Sequence, residues 1–134
     1  MKLQDFDFRL WSKEAKIYFE PKVEFERGKV RLIPENDDRI EIELWTGFCG
    51  KNNKKIFEND IVKHLDTNLE YLVEFHNASF IMSPLKYQHR REFQLSISIF
   101  FSTISKEAVN NKFNFLEIIG NIHENKNLLK KDKQ

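Results

Sequence analysis

A chain of 134 residues has room for one compact domain with a small appended lobe, and not for two independent cores. Its 22 basic and 21 acidic residues leave a formal net charge of +1, which removes the bulk electrostatic case for a nucleic-acid or membrane-surface binder. The lone cysteine, Cys49, excludes an intramolecular disulfide and fits a reducing cytosol. Because no apolar run predicts a membrane span or a signal peptide, the sequence predicts a cytoplasmic protein.

Alternation of apolar and polar residues dominates the N-terminal third and predicts strands. The pattern runs through residues 6–10 and returns at 15–19 after a polar tripeptide, which predicts a hairpin. Residues 23–32 alternate on both sides of a turn at 26–29, where a glycine is available for positive φ. The segment Pro-Glu-Asn-Asp-Asp at 34–38 then breaks the chain.

Further strands are predicted over residues 40–45, 69–76 and 80–82. The stretch from Phe93 to Phe101 also alternates, and it carries no charge from Gln94 onward. As a free edge this stretch would invite aggregation, so we expect it to be paired, covered or used in self-association.

Helix is scarce in this sequence. Residues 105–112 favour a turn or two, and Asn125 is a good N-cap for a short terminal turn. Many short strands separated by turn signals predict a mainly β fold, either a small barrel or a strongly bent sheet.

Three blocks of residues carry a more particular pattern. The longest is residues 44–62, Leu-Trp-Thr-Gly-Phe-Cys-Gly-Lys-Asn-Asn-Lys-Lys-Ile-Phe-Glu-Asn-Asp-Ile-Val. Residues 8–13, Phe-Arg-Leu-Trp-Ser-Lys, precede it, and residues 119–125, Ile-Gly-Asn-Ile-His-Glu-Asn, follow it. In this order the blocks resemble the signature of the YopX family of phage and prophage proteins, and the resemblance spans almost the whole chain.

This resemblance implies an SH3-like, partly open β-barrel with additional N-terminal strands and little helix. Residues 1–43 would form a β-hairpin extension packed on the barrel, and residues 44–129 the barrel, with its signature hairpin at 44–62. Residues 130–134 would be a frayed basic tail. The family has no assigned biochemical function, and its occurrence among small accessory phage genes implies work inside a bacterial host cell.

Departures from the family pattern concentrate in the turns. Asn53 and Asn59 stand where the family usually has glycine, and asparagine is the residue that best tolerates left-handed backbone after glycine. Gly50 stands where the family tends to have aspartate, which weakens any catalytic role for an acid there. Asp60 is favoured in turns because its carboxylate bonds the local backbone, so we interpret it as a turn-fixing residue rather than a catalytic one.

No arrangement of residues predicts catalysis, a metal or a cofactor. The four histidines are widely separated, and none has a metal-ligand spacing. Cys49 lies on a predicted loop with no adjacent base, and the chain has no glycine-rich phosphate cradle or nucleophile elbow. We therefore expect a protein that is not an enzyme.

Two basic clusters leave an alternative open. They comprise Lys51, Lys54, Lys55 and Lys63 near Trp45 and Phe57, and a second group that includes Arg90 and Arg91. A basic groove with aromatic platforms holds single-stranded nucleic acid, and small barrels suit that task. The other interpretation is that these are solvated loop lysines beside core aromatics.

Four aromatic residues are candidates for an interaction surface: Trp11, Trp45, Phe100 and Phe101. Each tryptophan falls on the polar phase of its strand, so it either covers a second layer or contacts a partner. The leading hypothesis is a phage or prophage accessory protein that binds a host or phage protein or forms a homo-oligomer. A single-stranded nucleic-acid-binding module is the alternative.

Overall fold

The computed structural model describes residues 6–20, 22–33, 38–85, 95–96 and 113–129. Most of these residues lie in strands, and the single α-helix among them, α1, is one turn at Lys126–Leu129. The predicted helical turn at 105–112, and all of the uncharged stretch except Leu95–Ser96, lie outside the described residues. No helix in the described part is long and apolar enough to cross a membrane.

Eleven strands are described, and they are numbered in chain order. They are β1 (Phe8–Ser12), β2 (Ile17–Phe19), β3 (Lys22–Glu26), β4 (Lys29–Ile33), β5 (Ile40–Cys49), β6 (Lys55–Phe57), β7 (Asp60–His64), β8 (Glu70–His76), β9 (Ser79–Pro84), β10 (Leu95–Ser96) and β11 (Leu116–Asn121). The chain divides into two units, unit 1 (Met1–Leu44) and unit 2 (Trp45–Gln134). Strand β5 runs from the first unit into the second.

Unit 1 contains an antiparallel sheet and a separate two-stranded ribbon. Strand β1 lies between β2 and the first half of β5, with Leu10 opposite Phe19 on one side and Ile42 on the other. These apolar residues share one face because directly opposed residues of antiparallel strands point the same way. Strands β3 and β4 pair only with each other among the described strands.

Unit 2 is built on a five-stranded antiparallel sheet with the order β10-β9-β8-β7-β11. The second half of β5 pairs with β6, with Trp45 opposite Phe57, and Phe113 donates its N–H to the carbonyl of Cys49 at 2.8 Å. The core is apolar and consists of Ile56, Val62, Tyr71, Val73, Met82, Phe113 and Leu116. The prediction of a mainly β fold with a small, partly open barrel is confirmed.

Candidate functional site

The turn between β6 and β7 carries the most particular residues of the longest sequence block. Asp60 is 1% exposed, and its Oδ2 accepts the backbone N–H of Phe57 at 2.8 Å. Asn59 has φ +71°, the left-handed geometry expected of a residue in a glycine position. Its N–H donates to the carbonyl of Val73 at 2.7 Å, and its own carbonyl accepts the N–H of Ile122 at 3.1 Å. The turn is therefore held by its own carboxylate and by two later segments of unit 2.

The last sequence block meets this turn in space. Asn121 lies directly opposite Asp60 in the β7–β11 ladder and is 8% exposed. Its Oδ1 accepts the N–H groups of His123 at 3.0 Å and of Glu124 at 2.9 Å. Asn125 accepts the Asn121 N–H on its own Oδ1 at 3.1 Å. These side chains supply the hydrogen bonds that a chain leaving a strand loses.

The position of Gly120 follows from the same cap. A Cβ at this residue would lie 2.5 Å from Cγ and Oδ1 of Asn125, closer than such atoms approach in proteins. The block therefore needs glycine beside its capping asparagine. Asn125 precedes α1, as an N-cap would, but its side chain bonds back to Asn121.

The hairpin β5–β6 is fixed by a buried hydroxyl and an indole. Thr46 is 9% exposed, and its Oγ1 donates to the Ile56 carbonyl at 2.8 Å and accepts the Phe48 N–H at 3.2 Å. Trp45 is half-buried, its Nε1 donates to the Phe48 carbonyl at 2.8 Å, and the ammonium of Lys55 lies 4.6 Å from its ring centroid. The N–H and the ring face of the indole thus both have partners within unit 2.

In unit 1 an arginine of the first sequence block pairs with a buried glutamate. Glu43 is fully buried, and its Oε1 accepts Nε of Arg9 at 2.8 Å and the hydroxyl of Tyr18 at 2.9 Å. The Arg9 guanidinium also lies over the Tyr18 ring, 4.4 Å from its centroid. A buried carboxylate requires such partners, because desolvation penalises the charge strongly. Sequence reasoning missed Glu43, which lies directly opposite Arg9 in the β1–β5 ladder.

All three blocks thus have defined structural partners, and all three lie within the part of the chain that a family model matches. The model of the family described as YopX protein matches residues 7–130. The chain belongs to the YopX family.

A solved structure supports the same fold. The crystal structure of protein EF1440 from Enterococcus faecalis matches with a TM-score of 0.56 and 20% sequence identity, and the match covers 92% of this chain and 97% of that one. At this identity the likeness shows the fold alone. A search of curated proteins finds no match.

The four predicted interaction residues of this YopX chain differ in their exposure and in whether the structure describes them. Trp11 is 6% exposed and packs edge-on against Tyr18, with ring centroids 4.8 Å apart, which favours the inner-layer interpretation over a contact residue. Trp45 is half-buried as described above. Phe100 and Phe101 lie outside the described residues.

Other apolar side chains are exposed instead. The described part contains six exposed large hydrophobic residues, and four of them belong to unit 1. Those four are Phe25 at 81%, Ile17 at 55%, Ile42 at 54% and Phe6 at 48%. The sequence does not distinguish these residues from core residues, because alternation shows which residues share a face and not whether that face is covered.

The lysines of the nucleic-acid alternative are placed among glutamates. Lys51 pairs with Glu117, with Nζ and Oε2 3.3 Å apart. Lys63 lies directly opposite Glu117 on β11 and directly opposite Glu70 on β8. Lys54 is exposed, and Arg90 and Arg91 lie outside the described residues. These acidic neighbours offset the local positive potential that a phosphate backbone needs.

The histidine of β7 has a structural role that its isolation in the sequence did not reveal. His64 is 6% exposed, and its Nδ1 accepts the N–H groups of Asp66 at 3.2 Å and Thr67 at 3.3 Å. Its ring packs against Phe115, with centroids 5.2 Å apart. His64 thus caps the β7–β8 turn. Cys49 is a free, half-buried thiol at the end of β5.

Proposed function

We propose that this YopX-family chain is a non-enzymatic accessory protein of a phage or prophage. It acts in the cytoplasm of a bacterial host by binding a host or phage protein or by assembling with itself. The observation that carries this proposal is the concentration of exposed apolar side chains in unit 1, led by Phe25 at 81%. Protein–protein interaction surfaces are built from exposed apolar and aromatic side chains of this kind.

The engagement of the motif residues supports the same conclusion. Asp60, Asn121 and Thr46 bond backbone groups of the turns around them, and Glu43 bonds Arg9. A catalytic group must instead present its reactive atom to a substrate. The polar residues of the three blocks therefore stabilise the fold. We assign the function to the exposed apolar residues.

Affinity purification of the full chain from phage-infected host cells tests this proposal. Ile42→Lys, on the exposed apolar position of β5, is expected to reduce capture of the partner found with the wild-type chain. Leu69→Lys is the matched control. Leu69 is also an exposed aliphatic residue, at 43%, but it belongs to unit 2. Equal capture by all three chains, together with a strictly monomeric wild type, would contradict the proposal.

A further inference from the structure

The ribbon formed by β3 and β4 has the fewest strands of any described sheet. No third strand of the described residues is hydrogen-bonded to either of its edges. Phe25, on β3, is the most exposed large hydrophobic residue of the described part. A two-stranded ribbon is marginally stable in water, and an open edge is a template for another strand. The ribbon is therefore the element of unit 1 best suited to strand addition.

The turn of the ribbon determines which backbone groups face outward. Arg27 and Gly28 have φ +49° and +74°, and the two strands join directly on either side of them, as in a two-residue type I′ turn. The residue pair that flanks such a turn is hydrogen-bonded, and hydrogen-bonded pairs then alternate with non-hydrogen-bonded ones. Val23 and Phe25 fall in the non-hydrogen-bonded pairs. Their N–H and C=O groups therefore point away from β4, along the edge of β3 that no described strand occupies.

We propose that β3 of one copy pairs with β3 of a second copy, antiparallel and about a twofold axis at Glu24. This inference rests on the self-assembly part of the proposed function. In this register Val23 stands opposite Phe25 of the second copy, so the outward backbone groups of the two residues bond reciprocally on both sides of the axis. The product is a four-stranded sheet, which exceeds the three strands that independent stability requires.

The charges of β3 select a second copy as the partner. Lys22 and Glu26 are equally spaced about Glu24, so the twofold places each lysine opposite a glutamate of the other copy. An edge with opposite charges arranged in this way is self-complementary, as an isologous interface requires. A net charge of +1 adds no long-range repulsion between copies. The Glu24 pair on the axis is the only unfavourable opposition in this register.

The other edge of the ribbon lacks this pattern. A twofold at Arg31 of β4 would oppose the two arginines and would place Lys29 opposite Ile33 of the second copy. No attractive pair would offset the arginine repulsion there. The charge pattern therefore assigns the interface to β3 and not to β4.

Sedimentation of the full chain and of two proline variants tests the pairing. The wild type is expected to be a dimer, and Val23→Pro a monomer, because proline removes an outward N–H that the β3–β4 ladder does not use. Val30→Pro is the matched control: Val30 is opposite Phe25 in the same ladder, so its N–H points outward along β4, and this variant is expected to remain dimeric. Far-UV circular dichroism should be the same for all three chains.

A third variant gives an effect that loss of folding does not produce. Glu24→Gln removes the like-charge pair on the axis and is expected to lower the dimer dissociation constant by about two- to fivefold. A monomeric wild type, a dimer that survives Val23→Pro, or equal loss of the dimer in both proline variants would overturn the pairing. A monomeric wild type that still captures a partner protein through Ile42 would overturn this inference alone and leave the proposed function in place.

Discussion

Asparagine occupies most of the left-handed backbone positions that are not glycine in the described part of this chain. Five asparagines have positive φ, between +50° and +71°: Asn52, Asn53, Asn59, Asn68 and Asn77. The whole sequence has only 4 glycines, so asparagine supplies the left-handed turns that glycine supplies in most proteins. Its short polar side chain reduces the cost of that geometry, which makes the turns tolerant of glycine and intolerant of branched residues.

Asn59 gives the sharpest test of this point. Asn59→Gly is expected to be neutral or mildly stabilising, whereas Asn59→Val should lower the free energy of unfolding by about 1–2 kcal/mol because its branched Cβ clashes in the left-handed region. Urea denaturation of the two variants and the wild type measures the difference. Equal stabilities for glycine and valine would show that the left-handed geometry does not govern this turn.

Ala78 is one of three described residues with left-handed backbone that are neither asparagine nor glycine; the others are Lys16 and Arg27. It follows Asn77 in the β8–β9 turn with φ +60°, a conformation that costs an alanine about 1 kcal/mol. Ala78→Gly should therefore raise the melting temperature. Ala15→Gly is the control: Ala15 is an exposed turn residue without positive φ, so glycine there should be neutral or slightly destabilising. Parallel gains from both substitutions would contradict the explanation.

At the scale of the elements, the hairpin β5–β6 depends on one hydroxyl. Thr46→Val keeps the shape of the side chain but leaves the Ile56 carbonyl and the Phe48 N–H without this partner. We expect a loss of about 1–3 kcal/mol, the cost of removing the hydrogen-bond partner of a buried polar group. Thr46→Ser retains the hydroxyl and should lose less. Thermal denaturation of both variants decides the matter, and a valine variant as stable as the serine variant would argue against the role of this hydroxyl.

Strands and turns can be predicted from neighbouring residues in the sequence, whereas contacts between residues distant in sequence cannot. Alternation and residues that tolerate positive φ predict the turns at Gly28 and Asn59 and the strands around them. Both signals lie within a few residues of the element that they predict. The Arg9–Glu43 ion pair joins two strands far apart in sequence. Gly50 is similar, since a Cβ there would lie 2.7 Å from the Leu116 carbonyl. Neither contact has a local signature.

The candidate surface was only partly accessible to sequence reasoning for the same reason. The sequence singles out Trp11 and Trp45, because each falls on the polar phase of its strand. What covers such a residue depends on tertiary packing: Tyr18 packs on Trp11, and Lys55 lies over Trp45. Phe25 showed no sequence signal that separates an exposed ribbon residue from a core one.

At the scale of the whole molecule, the buried Tyr71 makes stability sensitive to alkali. Burial raises the pKa of the Tyr71 phenol above its usual value near 10. The unfolded chain then releases this proton at lower pH than the folded chain, so stability is complete below about pH 10 and falls as pH rises through the folded pKa. Tyr71→Phe should flatten this alkaline decline. Stability measured from pH 8 to 11 tests it, and identical slopes for both chains would exclude Tyr71 as the cause.

The bond between Asn59 and Ile122 has a consequence for synthesis on the ribosome. The signature turn is positioned by Val73 and by Ile122, and Ile122 follows β11, far later in the chain. Since domains are made from the N-terminus at a limited rate, the turn at Asn59 leaves the ribosome well before its last partner exists. Unit 2 therefore completes its fold only after β11 emerges. A nascent chain stalled before Leu116 would expose an unfinished barrel to chaperones and proteases.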